Sequence, residues 1–238
     1  MKVHHSARAA KAGAGFVVVC LALGAILPGT VLAAESQPFQ RTDVFELEWA
    51  SSPHISPDGK RVVYERRSMD IMSDRPAVRL WLVNADGSGH VPLTGRDVDE
   101  SQPAWSPDGE RIAFTSAGDN GTEIYVYWLA DGKLARLTQL DRSPKSLSWS
   151  PDGKRIAFSK LVPEEPVVLV TPPAKPDGAE WPEEPRVTTR LKYEQDGAGY
   201  IEPGFNQFFI VPATGGTPRQ ITHGKFRHEG APQWTPDG

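Results

Sequence analysis

Two adjacent carboxylates, Glu183 and Glu184, stand in the run Trp181-Pro-Glu-Glu-Pro185. Such a pair can hold a substrate ammonium through charge-assisted hydrogen bonds, and it reads equally as a solvated acidic loop. Shortly after, Arg190 could grip a carboxylate or carbonyl with its planar fork, and Tyr193 follows it on what reads as a strand. A structural ion pair or an exposed strand face is the plainer reading of both. Asp196-Gly197 and Gly199-Tyr200 read first as hairpin punctuation, with a pore-lining tyrosine as the second possibility. Asp97, Asp99 and Glu100 gather three carboxylates, but they lack the ligand spacing and fixed glycine of an EF-hand. His223 and His228 have no further ligand type at zinc spacing. No metal and no cofactor is therefore expected. A nucleophile elbow would need Gly-x-Ser-x-Gly between a strand and a helix, and the chain has none.

The elements that must position these residues are announced by a repeat. Ser-Pro-Asp-Gly occurs at residues 56–59, 106–109 and 150–153, and Thr235-Pro-Asp-Gly238 is a fourth, near-identical copy. Trp105, Trp149 and Trp234 each stand two positions before the proline, and Ile55 takes that place in the first copy. Proline presets the first central position of a type I turn, aspartate bonds its neighbouring backbone, and glycine accepts the left-handed conformation that follows. After each complete turn comes an alternating strand, Lys60-Arg-Val-Val-Tyr64, Glu110-Arg-Ile-Ala-Phe114 and Lys154-Arg-Ile-Ala-Phe158. A second hairpin follows, turning at Ala-Asp-Gly (85–87 and 130–132) or Thr-Gly-Gly (214–216). Four antiparallel strands recurring in tandem are the blade of a β-propeller.

The fold class expected is therefore all-β: a partial propeller with blade 1 about 53–94, blade 2 about 103–138, blade 3 about 147–222 and the start of blade 4 about 232–238. The third blade carries an insertion at about 159–206, because the step from Phe158 to Phe208 is roughly 40 residues longer than its counterpart in blade 2. Propellers close with about four to eight blades, so the sequence reads as the N-terminal part of a longer ring.

Composition restricts the function classes. The formal charge is -4, and Lys2, Arg8 and Lys11 are the only charges in residues 1–33, so the remainder is more acidic still. Nucleic acid is not an expected partner. Those three cations precede an apolar stretch at residues 12–27, too short for the roughly 20 residues of a spanning helix. Pro28-Gly29 and then Val31-Leu32-Ala33 complete the pattern of a secretory signal cleaved after Ala33, with an uncleaved anchor extended through Ala34 as the rival. Cys20, the single cysteine, would leave with the signal. Residues 34–52 form a lead-in with a short helix, and a periplasmic or secreted location without a membrane attachment is expected.

The succession Thr42-Asp-Val-Phe-Glu-Leu47, Ser52-Pro-His-Ile-Ser-Pro-Asp-Gly-Lys-Arg-Val-Val-Tyr64 and the tandem Trp-Ser-Pro-Asp-Gly units resembles the N-terminal propeller of prolyl oligopeptidase family serine peptidases. Within the insertion, Pro185-Arg-Val-Thr-Thr-Arg-Leu-Lys-Tyr193 and Asp196-Gly-Ala-Gly-Tyr200 are similar to a segment of the acylaminoacyl-peptidase and dipeptidyl-peptidase-like branch. The resemblance implies peptide substrates, a propeller that restricts access, and a C-terminal α/β-hydrolase domain bearing Ser, Asp and His that is not in this sequence. It also implies a role for Glu183 and Glu184, since dipeptidyl peptidases use such a pair, although the neighbouring residues here do not closely match theirs. A non-enzymatic periplasmic propeller like TolB, acting as a protein-binding scaffold, is the alternative.

Overall fold

The computed structural model describes residues 38–118, 121–165, 167, 169, 173–182, 187–197 and 199–238. The expected signal segment with Cys20, and Glu183 and Glu184, lie outside the described residues. A short 3₁₀ helix, Arg41–Glu46, opens the unit that runs from Gln40 to Gly238; the Asp43 carboxylate accepts the Gln40 amide at 2.8 Å and closes its first turn.

Three four-stranded antiparallel sheets follow. The first is β1 (Glu48–Ile55), β2 (Arg61–Asp70), β3 (Arg75–Asn84) and β4 (Val91–Pro92), paired in chain order. The second repeats this with β5 (Glu100–Trp105), β6 (Arg111–Gly118), β7 (Gly121–Trp128) and β8 (Leu134–Arg136). The third is β9 (Lys145–Trp149), β10 (Arg155–Pro163), β13 (Gly204–Pro212) and β14 (Arg219–Gln220). Between β10 and β13 a separate two-stranded ribbon, β11 (Glu194–Gln195) with β12 (Gly199–Tyr200), belongs to the insertion. β1 packs against β5 and β5 against β9, whereas the fourth strands of successive sheets do not meet. The sheets therefore converge at their first strands and splay at their fourth, the arrangement of propeller blades. The outer edges are only two or three residues long, which limits pairing with other chains.

The strand alternation sorts side chains between neighbouring blades. Ile112 and Phe114 of β6, with Tyr125 of β7, face Val63, Leu80 and Leu93 of the first sheet. Ala113, Ile124 and Val126 point the other way, to Ile156, Phe158 and Phe209 of the third sheet. Middle-blade strands are consequently buried on both faces. Cross-strand aromatic rungs repeat from blade to blade: Phe114 stacks on Tyr125 at 6.0 Å and Phe158 on Phe209 at 5.7 Å.

The Ser-Pro-Asp-Gly turns do two jobs. Internally, the serine hydroxyl donates to the aspartate, at 2.6 Å for Ser56 to Asp58 and for Ser150 to Asp152, while the amide two residues after the aspartate donates to the same carboxylate. Across blades, each turn is half of a clasp. The Trp105 indole donates to the His54 carbonyl at 2.9 Å, Trp149 to Ala104 at 3.0 Å and Trp234 to Ser148 at 3.3 Å. In return an arginine of the preceding blade lies over each ring, Arg61 on Trp105, Arg111 on Trp149 and Arg155 on Trp234, at 5.3, 4.7 and 5.2 Å. The same guanidinium groups donate to the glycine carbonyls of the next turn, Gly109, Gly153 and Gly238, at 3.0, 3.1 and 3.1 Å. The fourth turn thus docks on blade 3 as the earlier turns dock on their predecessors.

One backbone feature recurs where the blades converge. Ser52, Gln102 and Ser146 occupy the left-handed region, at φ 48°, 55° and 58°, each three residues before the tryptophan position of its strand. A non-glycine residue there costs about 1–2 kcal/mol, and wiring between blades offsets it. The Gln102 amide donates to Glu65 Oε1 at 2.9 Å, and the Ser146 amide to Gln102 Oε1 at 2.9 Å.

Candidate functional site: the insertion of the third blade

β10 and β13 run in register from Arg155 opposite Pro212 to Pro163 opposite Gly204, so residues 164–203 leave the blade as one excursion. Its base is tight. The Glu164 amide donates to the Pro203 carbonyl at 3.0 Å, and a Cβ on Gly204 would lie 2.5 Å from the Val162 carbonyl oxygen and 3.0 Å from both Leu161 Cδ1 and Pro163 Cα. Two of those three obstacles are main-chain or main-chain-bonded atoms that cannot swing away. Gly204→Ala should therefore cost about 1–3 kcal/mol in urea unfolding, and a variant as stable as the parent would show that the base of the excursion is loose.

Three ion pairs pin the excursion. The Arg190 guanidinium pairs closely with Glu164 and lies 5.0 Å from the Phe205 ring centroid; Lys225 Nζ approaches the other Glu164 oxygen at 3.3 Å. Partial desolvation acts to raise the Glu164 pKa, but Lys225 and Arg190 together hold it below the usual carboxylate range. At the return end, Arg142 forks onto Glu202, Nε to Oε2 at 2.8 Å and Nη2 to Oε1 at 2.5 Å. That fork keeps Glu202 low and Arg142 high. Because Arg142 comes from the connection between blades 2 and 3, the pair ties the excursion to a different part of the chain.

Arg190 and Tyr193 come together as neighbours around one shallow depression, whose rim also includes Thr188, Thr189, Lys192 and Tyr200. Its enclosed space of about 10 Å³ is that of one water. Neither residue is on a strand: the ribbon begins only at Glu194, and Tyr193 is tied to it by its carbonyl, which accepts the Ile201 amide at 2.8 Å. The alternation of residues 187–193 is too thinly apolar to hold a strand without a partner, and Arg190 is drawn to Glu164 instead. The Tyr193 ring is about half exposed, and Leu191 and Trp181 are exposed on the same excursion. Asp196-Gly197 forms the turn between β11 and β12.

The other candidates have structural partners. Arg79 binds Asp97 at 2.7 Å and Asp99 at 2.9 Å. Glu100 is buried, accepts the Thr94 hydroxyl at 2.6 Å, and is raised above the usual range by that burial despite Thr94 and Arg96. His228 sits between Phe208 and Phe226, at 5.3 Å from each. Sequence reasoning passed over Glu164, Arg142 and Glu202, and its only available signal was their position beside the boundaries of the insertion.

Residues 37–171 match the TolB beta propeller domain family. The chain belongs to that family. Its relatives include the uncharacterized peptidase YuxL of Bacillus subtilis, 26% identical over 82% of this chain and 29% of that protein. The dipeptidyl-peptidase 5 of Porphyromonas gingivalis is 41% identical over 29% of this chain and 10% of that protein. Among solved structures, the uncomplexed Pyrococcus horikoshii acylaminoacyl peptidase superposes with a TM-score of 0.52 at 17% identity, over 76% of this chain and 26% of that one, a likeness of fold. The chain spans less than a third of the length of each of these proteins. It is a propeller of peptidase-related proteins, as the sequence resemblance implies.

Proposed function

We propose that this propeller is the substrate-gating part of an exported serine peptidase that hydrolyses peptides, with the α/β-hydrolase domain carried beyond residue 238. The observation that carries the reading is the alignment with the uncharacterized peptidase YuxL over 82% of this chain. In this reading Arg190 and Tyr193 face peptide approaching the catalytic half, and the Glu183-Glu184 pair would supply carboxylates for its ammonium group. The pinned base of the excursion keeps the first two in a fixed place relative to blade 3. In the intact enzyme a serine activated by histidine would form the acyl-enzyme, with backbone amides holding the oxyanion. Among the described residues no helix is long and apolar enough to cross a membrane.

A TolB-like scaffold without catalysis is the second reading, favoured by the name of the matching family. Activity-based labelling separates the two. The protein is enriched from its native cells with an antibody against residues 100–140, treated with a fluorophosphonate probe, and its intact mass measured. The peptidase reading expects a labelled species well above the 26.0 kDa of this chain. An unlabelled species, at any mass, overturns it in favour of binding.

A further inference from the structure

Eight Asp-Gly dipeptides punctuate the chain, at Asp58, Asp86, Asp108, Asp131, Asp152, Asp177, Asp196 and Asp237. In each the following glycine has a positive φ, from 65° at Gly153 to 87° at Gly87, so backbone conformation does not distinguish them. Their carboxylates do differ. Asp58, Asp108 and Asp152 each accept a serine hydroxyl and a backbone amide of their own turn. Asp86 accepts the Ser88 amide at 2.9 Å and hydroxyl at 2.6 Å; Asp131 accepts the Lys133 amide at 3.2 Å and pairs with its ammonium at 2.6 Å. Asp237 is bonded by Thr235. Asp177 and Asp196, the two in the insertion, are exposed; at Asp177 the amide two residues on, Ala179, is given to the Pro176 carbonyl at 3.1 Å and not to the carboxylate, and at Asp196 no described residue holds the carboxylate, Ala198 lying outside the described residues. A Cβ at Gly178 or Gly197 would meet nothing within 4 Å, as is also true at Gly59 and Gly87, so crowding at the glycine does not distinguish the sites.

We propose that Asp177 and Asp196 are sites of spontaneous isoaspartate formation, and that the six blade and turn Asp-Gly sequences are protected because their carboxylates are held. In the reaction the glycine main-chain nitrogen attacks Cγ of the preceding aspartate, which is unhindered because glycine has no side chain. A C–N bond forms, the C–OH bond of the carboxyl breaks, and one water leaves, its protons coming from the nitrogen and the carboxyl group. The resulting succinimide takes up one water at either carbonyl. Opening at Cγ restores aspartate; opening at the main-chain carbonyl leaves the chain running through Cγ. No oxidant or other reactant is required. A carboxylate anchored by two hydrogen bonds must release both before its Cγ can reach the nitrogen, and those bonds also keep it below its usual pKa, so the protonated form with a good leaving group is scarcer.

The consequence is local. At Asp196 the extra main-chain atom falls in the turn that sets Glu194 opposite Tyr200 and Gln195 opposite Gly199, so the ribbon beside Tyr193 loses its register. The inference does not depend on a peptidase role.

The test incubates the folded chain at physiological temperature and mildly acidic pH, where the protonated carboxyl is more populated, and follows isoaspartate at each site by isoaspartyl methyltransferase labelling and electron-transfer fragmentation of its peptides. Peptide mapping separates Asn120-Gly121, which gains mass when it reacts. Asp177 and Asp196 should accumulate isoaspartate at least about tenfold faster than the six held sites, the factor expected when two hydrogen bonds must first be broken. In denaturing urea the eight rates should converge. Gly197→Ala should slow Asp196 and leave Asp177 unchanged. Ser150→Ala should speed Asp152 alone; if Asp58 and Asp108 accelerate equally in that variant, general unfolding is responsible and protection by the held carboxylate is refuted. Equal rates at all eight sites in the folded parent would also overturn the proposal.

Discussion

Trp149→Ala is expected to lower the unfolding free energy by about 3–5 kcal/mol, read as a fall in the urea midpoint. The indole is 8% exposed, the most buried of the three clasp tryptophans, and it packs in the cluster of Ile156, Phe158 and Val211. Its removal acts three ways at once. It leaves a cavity between blades 2 and 3, deprives the Ala104 carbonyl of its donor, and leaves the Arg111 guanidinium without the ring it covers at 4.7 Å. Trp149→Phe separates these contributions, because it keeps most of the packing and loses the indole N–H, and a smaller loss of about 1–2 kcal/mol follows. Trp234→Ala should also cost less, since its ring is less buried and its hydrogen bond longer, at 3.3 Å. If Trp149→Ala loses no more than Trp234→Ala, the blades are held by strand burial and the clasp is incidental.

The clasp also shows what a sequence displays and what it hides. The tryptophans were legible as part of the repeat, because they recur at a fixed offset from a turn whose chemistry is local. Arg61, Arg111 and Arg155 recur just as regularly, yet they stand where a strand begins and nothing in their local sequence marks what they touch. Their true partners, a ring at least 38 residues onward and a glycine carbonyl at least 42 residues onward, become neighbours only when blades are stacked. Ile55 fits the same logic: it takes the tryptophan place in the first copy and is 68% exposed, with no preceding blade among the described residues to receive it. The left-handed positions at Ser52, Gln102 and Ser146 had no sequence signal, since serine and glutamine do not advertise a positive φ as glycine does. In the insertion, Arg142 and Glu202 are 60 residues apart and belong to no shared period. Repetition made the blades readable; the excursion occurs once, so its pinning contacts had to be seen.

The buried glutamates where the sheets converge should give the chain two opposed responses to acid. Glu65 accepts the Gln102 amide, the Ser51 hydroxyl and the Arg67 guanidinium, at 2.9, 3.1 and 2.6 Å. Burial acts to raise its pKa, but these donors outweigh burial and hold it below the usual 4.5. The stabilisation it supplies is therefore complete above that value and is lost as pH falls through the depressed folded pKa. Glu100 is the reverse. Burial dominates there, its folded pKa lies above 4.5, and what it contributes is present in acid and lost as pH rises through the raised pKa. Glu65→Ala, which strands the Gln102 amide and the Arg67 charge, should cost about 3 kcal/mol at neutral pH and progressively less as pH falls below the glutamate range. Glu65→Gln should flatten the acid limb of stability against pH, and Glu100→Gln should steepen it, each read from urea midpoints across that limb. The opposite signs are the test: a shift of the acid limb in the same direction by both variants would mean that neither carboxylate is held as the geometry describes. Because Glu65 is also the acceptor for the strained Gln102 amide, and Gln102 in turn accepts from Ser146, its loss should propagate to blade 3. Glu100→Gln, which has no place in that relay, should leave amide protection at Ser146 unchanged.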